Sequence, residues 1–316
     1  MALNGLLDIE ISVPDPTALG EFWERYGLLR TADGVYGTAD RPVQLRIAES
    51  DHRHLSRLHL SCEHERDLAE IAGRLAAIGV DAVVRGATLR CLDPVLGHEV
   101  VIDVGGPAPL TSTDRTAANR PGSHSRIGGR TAAPDSAPPP PRRVGHVVFG
   151  SPRIEDTTAF YIDALGYRIS DQTANKYATF CRVESDHHNL LIHRAPVGHL
   201  NHYALEMDDI DAIGRTGTRM TRDQAATDVT GLGRHYLGSN VFWYLRDPAG
   251  NMFELFCDMD QIVDDEAWAN GPGRRDWGAD GAPPPFSVWG PDEPSDFFRQ
   301  PDLRAIGEAR SVRGLP

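Results

Sequence analysis

The chain repeats itself, and the repeat narrows its fold more than any other feature. Near the start of each half, an alternating run is followed by a helical pattern ending at glycine. Asp8-Ile-Glu-Ile-Ser-Val-Pro14 leads to Glu21-Phe-Trp-Glu-Arg-Tyr-Gly27, and His146-Val-Val-Phe-Gly-Ser-Pro152 leads to Ala159-Phe-Tyr-Ile-Asp-Ala-Leu-Gly166. Near the end of each half a turn precedes an apolar strand: Asp93-Pro-Val-Leu-Gly-His-Glu-Val-Val-Ile102 and Asp247-Pro-Ala-Gly-Asn-Met-Phe-Glu-Leu-Phe256. Asp-Pro favours extended backbone before the proline and a tight reversal after it. Between these, Leu58-His-Leu-Ser-Cys-Glu63 feeds a helix expected over Glu65–Ile78, and His202-Tyr-Ala-Leu-Glu-Met207 one over Asp208–Met220. Each half thus reads as two βαβββ modules, and a repeat of this size points to a duplicated domain rather than a solenoid. The expected class is α+β, with each pair of modules forming a curved, barrel-like mixed sheet and its helices outside.

Residues 106–142 separate the halves. They are dense in Gly, Ser, Thr, Ala and Pro, including Asp135-Ser-Ala-Pro-Pro-Pro-Pro-Arg142, and carry almost no large apolar side chain. Such a stretch buries too little surface to offset its ordering entropy, so it is expected to be a linker. The organisation is then a first domain over 1–105, the linker, a second domain over 143–260, and an extension over 261–316. The extension holds Trp268, Trp277, Phe286, Trp289, Phe297 and Phe298 among many Pro, Gly and Asp residues. Six aromatics in a polar tail imply a strap on the surface of this or a neighbouring subunit. A lid over a site is the compatible functional reading.

Composition removes whole classes of function. A formal charge of -13 argues against a nucleic-acid partner, which needs clustered Lys and Arg. No apolar run approaches the ~18 residues of a membrane span, and the N-terminus lacks a secretory pattern. Cys62, Cys91, Cys181 and Cys257 form no CxxC pair, and most lie in apolar runs, as buried free thiols of a cytoplasmic protein would.

Three residues of the second half sit on separate strand-like runs: His146, His202 and Glu254, spaced 56 and 52 residues apart. Singly, each histidine suits a hydrogen-bonded strand position. Glu254 is odder. Its neighbours Phe253 and Leu255 point to the opposite face of a strand, so the carboxylate projects from the other side. In a closed cavity it would need a cation or a strong donor. Two imidazoles and a carboxylate can occupy one face of a six-coordinate ferrous ion and leave the other open. Laid over the first half, His146 falls on Asp8, His202 on His59 and Glu254 on Val101, so only the second half is expected to bind metal. Further candidates surround the triad: the pair His187 and His188, His235 in the loop Gly231-Leu-Gly-Arg-His235, and Tyr244, whose strand is expected to pair with that of Glu254.

Order and spacing here resemble the type I extradiol ring-cleavage dioxygenases of the vicinal oxygen chelate superfamily, the catechol 2,3-dioxygenase-like group. The likeness covers residues 143–258 well and runs from Gly233-Arg-His235 through Tyr244 to Asp247-Pro-Ala-Gly-Asn-Met-Phe-Glu254. The first half matches in module architecture alone. The resemblance implies two tandem vicinal oxygen chelate domains, Fe(II) (or its known substitute Mn(II)) on His146, His202 and Glu254, a catechol-type substrate with O2, and a homo-oligomer. It further implies an acid/base role for His188 or its neighbour His187, and a role for His235 and Tyr244 in holding and deprotonating the catechol oxygen. Alternatives are another metal-dependent enzyme of the superfamily (an isomerase, a transferase or a hydroxyphenylpyruvate-type dioxygenase) and a non-catalytic binding protein of the same fold. The isomerase and transferase types draw ligands from paired modules, which Asp8 and Val101 do not supply. A hydroxyphenylpyruvate-type enzyme would not need His188, His235 and Tyr244, and a binding protein would not need the three ligands. The long Pro-rich linker and the Trp-rich extension both depart from the family's minimal form.

Overall fold

The alternation of Leu, Ile and Val with polar residues sets up a strand that opens each module. In the computed structural model, which describes residues 3–111, 118–133, 136–173, 175–271 and 284–316, the first half runs β1 (Leu3–Val13), α1 (Pro16–Arg25), β2 (Leu29–Ala32), β3 (Val35–Gly37), β4 (Leu45–Glu49), β5 (His54–Cys62), α2 (Glu65–Ala77), β6 (Ala82–Arg85), β7 (Thr88–Leu92) and β8 (Glu99–Val104). The second half repeats the order: β9 (Arg143–Ser151), α3 (Ile154–Ala159), β10 (Arg168–Gln172), β11 (Ala178–Arg182), β12 (Leu190–Arg194), β13 (His199–Glu206), α4 (Ile210–Arg222), β14 (Thr227–His235), β15 (Val241–Arg246) and β16 (Met252–Cys257). The extension adds α5 (Asp265–Asn270), β17 (Ser287–Trp289) and α6 (Leu303–Val312). Two βαβββ modules per half are present as expected.

Local chemistry explains the boundaries. Asp15 caps α1 by accepting from the Ala18 amide at 2.9 Å, and Pro16 takes the first helical position, where its missing N–H costs nothing. Both opening helices give way to a glycine in left-handed backbone, Gly27 (φ 104°) and Gly166 (φ 95°), a conformation that other residues adopt only with strain. The helix expected over Asp208–Met220 begins two residues later because Asp209 caps it, accepting from the Ala212 amide at 2.8 Å. Helix α3 continues as a π-helical stretch over Phe160–Leu165.

The sheets are open rather than closed barrels. Eight strands in the order β2-β3-β4-β1-β5-β8-β7-β6 form the first; the second repeats that order and gains β17 beside β14. Within each, β1–β4 and β9–β12 are parallel while β1–β5 and β9–β13 are antiparallel. One hydrophobic core runs through both halves. Helix α1 carries Trp23 onto Phe253 (ring centroids 5.0 Å), and the Trp23 indole donates to the Tyr203 hydroxyl at 3.0 Å. All nine residues of β9 are buried, since both its faces are covered. The four cysteines are free and buried. Among the described residues no helix is long and apolar enough to cross a membrane.

Strand register corrects one comparison between the halves. Asp8 lies opposite His59, which lies opposite Val101; His146 lies opposite Ala204, which lies opposite Glu254. His59 is therefore the counterpart of Ala204, and His202 corresponds to Arg57. A slide of two residues preserves strand alternation, so the sequence pattern alone did not expose it.

Candidate metal centre

Three adjacent central strands, β9, β13 and β16, bring His146, His202 and Glu254 to one face of the second sheet. The three residues are 1%, 3% and 0% exposed, and the candidate ligand atoms lie within 4.8 Å of one another. Glu254 Oε2 is 2.8 Å from His146 Nε2 and 3.5 Å from His202 Nε2. Phe253 and Leu255 point the other way into the core, as the strand period requires.

Hydrogen bonds fix how these groups present themselves. Asn201 Oδ1 accepts from His202 Nδ1 at 2.8 Å, which leaves His202 Nε2 as a bare nitrogen with no partner. The Asn240 amide donates to Glu254 Oε1 at 2.7 Å, leaving Oε2 to the histidines. Burial opposes ionisation of Glu254, but the imidazoles of His146, His202 and His235 outweigh it and hold its carboxyl well below the usual range. Burial pulls His202 down to about 4, so it is neutral and able to ligate. A bare nitrogen facing an anion with nothing between them is a poor arrangement; a cation between them satisfies both. The donor set fits a divalent first-row metal.

Tyr244 lies directly opposite Glu254 across the β15–β16 pair, as the turn between those strands predicts. Its hydroxyl is 2.9 Å from His235 Nε2, and the Phe286 carbonyl accepts from His235 Nδ1 at 2.9 Å. With Nδ1 donating, Nε2 is the acceptor and the tyrosine donates to it. Burial and the nearby Glu254 push Tyr244 well above its ordinary value. The loop expected around His235 is the end of strand β14; Gly231 and Gly233 disguise the strand, and Gly233 is required because a side chain there would strike Phe242 and Pro291.

His188 faces the cavity and His187 does not. Asp171 Oδ2 is 2.9 Å from His187 Nε2, and His187 Nδ1 is 3.1 Å from His188 Nδ1. If the carboxylate takes the Nε2 hydrogen of His187, His188 must donate through Nδ1, and its Nε2 is left bare. Burial, then the neighbouring imidazoles, lower His188 well below its ordinary value, so it is neutral.

A cavity of about 790 Å³ opens over these groups, lined by His188, His202, His235 and Tyr244 together with Val148, Phe180 and Leu191. Phe286, Phe297 and Phe298 of the extension complete its wall. The extension therefore reaches the site itself, and it also straps the surface: Arg53 pairs with Asp302 at 2.6 Å. Trp268 donates to the Ser170 carbonyl at 2.9 Å, and Trp289 sits in edge strand β17; Trp277 lies outside the described residues.

Asp171, Asn201 and Asn240 were not foreseen from sequence. Asp171 and Asn201 both stand at irregularities in strand pairing, between Ile169 and Asp171 and between Leu200 and His202. Bulges re-aim side chains, and counting alternate residues cannot locate them.

Comparison with known proteins settles the lineage. Residues 143–255 match the Glyoxalase/Bleomycin resistance protein/Dioxygenase superfamily. Over 309 residues the chain is 31% identical to metapyrocatechase 2 of Cupriavidus necator, covering 94% of this chain and 92% of that protein. The chain belongs to the metapyrocatechase family of extradiol dioxygenases. An iron-dependent extradiol dioxygenase of Rhodococcus jostii (strain RHA1) is 24% identical, over 85% of this chain and 93% of its own. A halotolerant catechol dioxygenase of known structure shares the fold at a TM-score of 0.71 and 16% identity, covering 96% of this chain and 97% of that one.

Proposed function

We propose that this family member opens a catechol ring beside, rather than between, its two hydroxyl-bearing carbons, using O2 and an Fe(II) ion held by His146, His202 and Glu254. The observation that carries this reading is the convergence of two buried imidazole nitrogens on one carboxylate oxygen, with His202 among them also lining the cavity. Such a set would hold Fe(II), which would supply binding of the catechol oxygens and of O2.

The chain's own groups handle the protons. A catechol hydroxyl arriving beside Tyr244 can pass its proton to the phenol oxygen as the phenol hands its own to His235 Nε2. The bare, neutral Nε2 of His188 can take up and return a proton on the other side of the bound ring. Asp171 and His187 hold that imidazole in orientation, and the aromatic wall limits water. The test is oxygen uptake by anaerobically reconstituted Fe(II) protein on mixing with aerated catechols. Uptake should match the appearance of a yellow ring-opened product; silence across a broad catechol panel sinks the reading.

Two further expectations belong here. Val288 and Trp289 are exposed on an edge strand, which supports a homo-oligomer; a solution mass of 34.6 kDa, that of one chain, would refute it. The four unpaired thiols fit a reducing cytoplasm.

A further inference from the structure

The walls of the cavity are electrically one-sided. Among the described residues lining it there is no Lys or Arg, while Asp292 and Glu293 both contribute from the extension. Neither Asp292 nor Glu293 has an ion-pair partner among the described residues; Arg299, exposed nearby, is felt electrostatically at Tyr177 but does not line the cavity. Partial burial raises the Glu293 carboxyl above its ordinary value, although the residue remains exposed.

Aromatic surface lines the same cavity as these carboxylates. Tyr177, Phe286, Phe297 and Phe298 line the same cavity, with Phe297 meeting Phe286 and Phe298 edge-on at 5.1 and 5.0 Å. Aromatic faces with carboxylates suit an ammonium group and repel a second carboxylate. At about 790 Å³ the cavity lies in the range that takes drug-sized ligands, so a catechol with a long substituent fits within it. The chain's overall charge of -13 acts in the same direction at longer range.

We propose that the site sorts catechols by the charge of their substituent, accepting ammonium-bearing ones and turning away those that carry a carboxylate, with Asp292 and Glu293 as the residues that discriminate. The proposal rests on the ring-cleavage reading for its kinetic arm only. Dopamine, 4-ethylcatechol and 3,4-dihydroxyphenylacetate share one ring substitution pattern and differ in charge at the end of the side chain. They are compared on the full-length Fe(II) enzyme by oxygen uptake (kcat/KM) and by anaerobic titration (Kd). The cation should be preferred over the anion by about tenfold or more in both, with the neutral compound between them, and the preference should shrink as salt is raised to about 0.5 M. Replacing both carboxylates, Asp292→Asn with Glu293→Gln, should bring the cation-to-anion ratio close to one. A wild-type ratio under about threefold, or a double variant that keeps the wild-type ratio, overturns the proposal. No oxygen uptake with any of the three, alongside an intact binding preference, counts against ring cleavage and leaves charge sorting standing; uptake without preference does the reverse.

Discussion

The two halves share strand order and register, yet on equivalent positions one carries Asp8, Arg57 and Val101 and the other His146, His202 and Glu254. In the first half the charged groups at and around those positions find partners on the same sheet. Asp8 accepts from Arg46 at 3.0 Å and contacts His59 at 2.7 Å; His59 reaches Asp103 at 2.9 Å; Arg57 pairs with Glu99 at 2.8 Å. In the second half the corresponding groups point at one another with a nitrogen left bare, under a wall supplied by the extension. Duplication thus gives the same scaffold twice. What differs is whether its polar face is satisfied internally or left short of a positive charge.

The contrast breaks hardest at Glu254. Glu254→Ala removes the anion that both imidazoles face, and iron content of the reconstituted protein should fall from about one per chain to about zero, with oxygen uptake lost alongside. Retention of a full complement of iron would end the ligand assignment. His188→Gln separates metal from chemistry: iron should stay while turnover drops by about 10² to 10⁴-fold, the range for loss of a general acid/base group. Normal turnover in that variant would remove His188 from the mechanism.

How much of this was legible in the sequence follows from strand physics. Period-two alternation and Asp-Pro turns mark the modules, and Glu254 between Phe253 and Leu255 stands out because a strand must turn it away from both neighbours. The direct opposition of Tyr244 and Glu254 follows from the short turn that joins their strands. Four things were illegible. Alternation has no absolute register, so His59 stood in for Arg57. Glycines hid the strand that ends at His235. Bulges placed Asp171 and Asn201, and the contact of the extension with the cavity depends on tertiary packing that no local pattern encodes.

That packing yields a subtler test. The Asn201 side chain accepts from His202 and donates to the Phe297 carbonyl at 2.8 Å, so it ties the extension to a proposed metal ligand. Asn201→Ala should weaken iron binding by about 10- to 100-fold without abolishing it, as seen when groups orienting a metal ligand are removed. Competition against a chelator measures this; unchanged affinity would mean that the extension closes the cavity without shaping the centre.

The smallest effect is electrostatic and has opposite signs in the two halves. Burial lowers His59, but Asp8 and Asp103 on its two nitrogens outweigh that and raise it above its ordinary value. Its stabilising contribution is complete below about 6.5, the unfolded value, and is lost as pH rises through the raised folded value. In the second half burial lowers His193 to about 3 and His199 to about 4, aided at His193 by His199. Their unfolded forms take up protons that the folded forms refuse, so stability is lost as pH falls from about 6.5 toward 4. Proton NMR titration of the histidine rings should show His59 titrating above 6.5 and the other two still neutral at pH 5. Asp8→Asn should bring His59 down, cost about 1 to 2 kcal/mol of stability near neutral pH, and leave iron content untouched. If His59 keeps its raised value in that variant, the polar face of the first half is not held by the network around Asp8. If iron content falls, the two halves are coupled through more than their shared core.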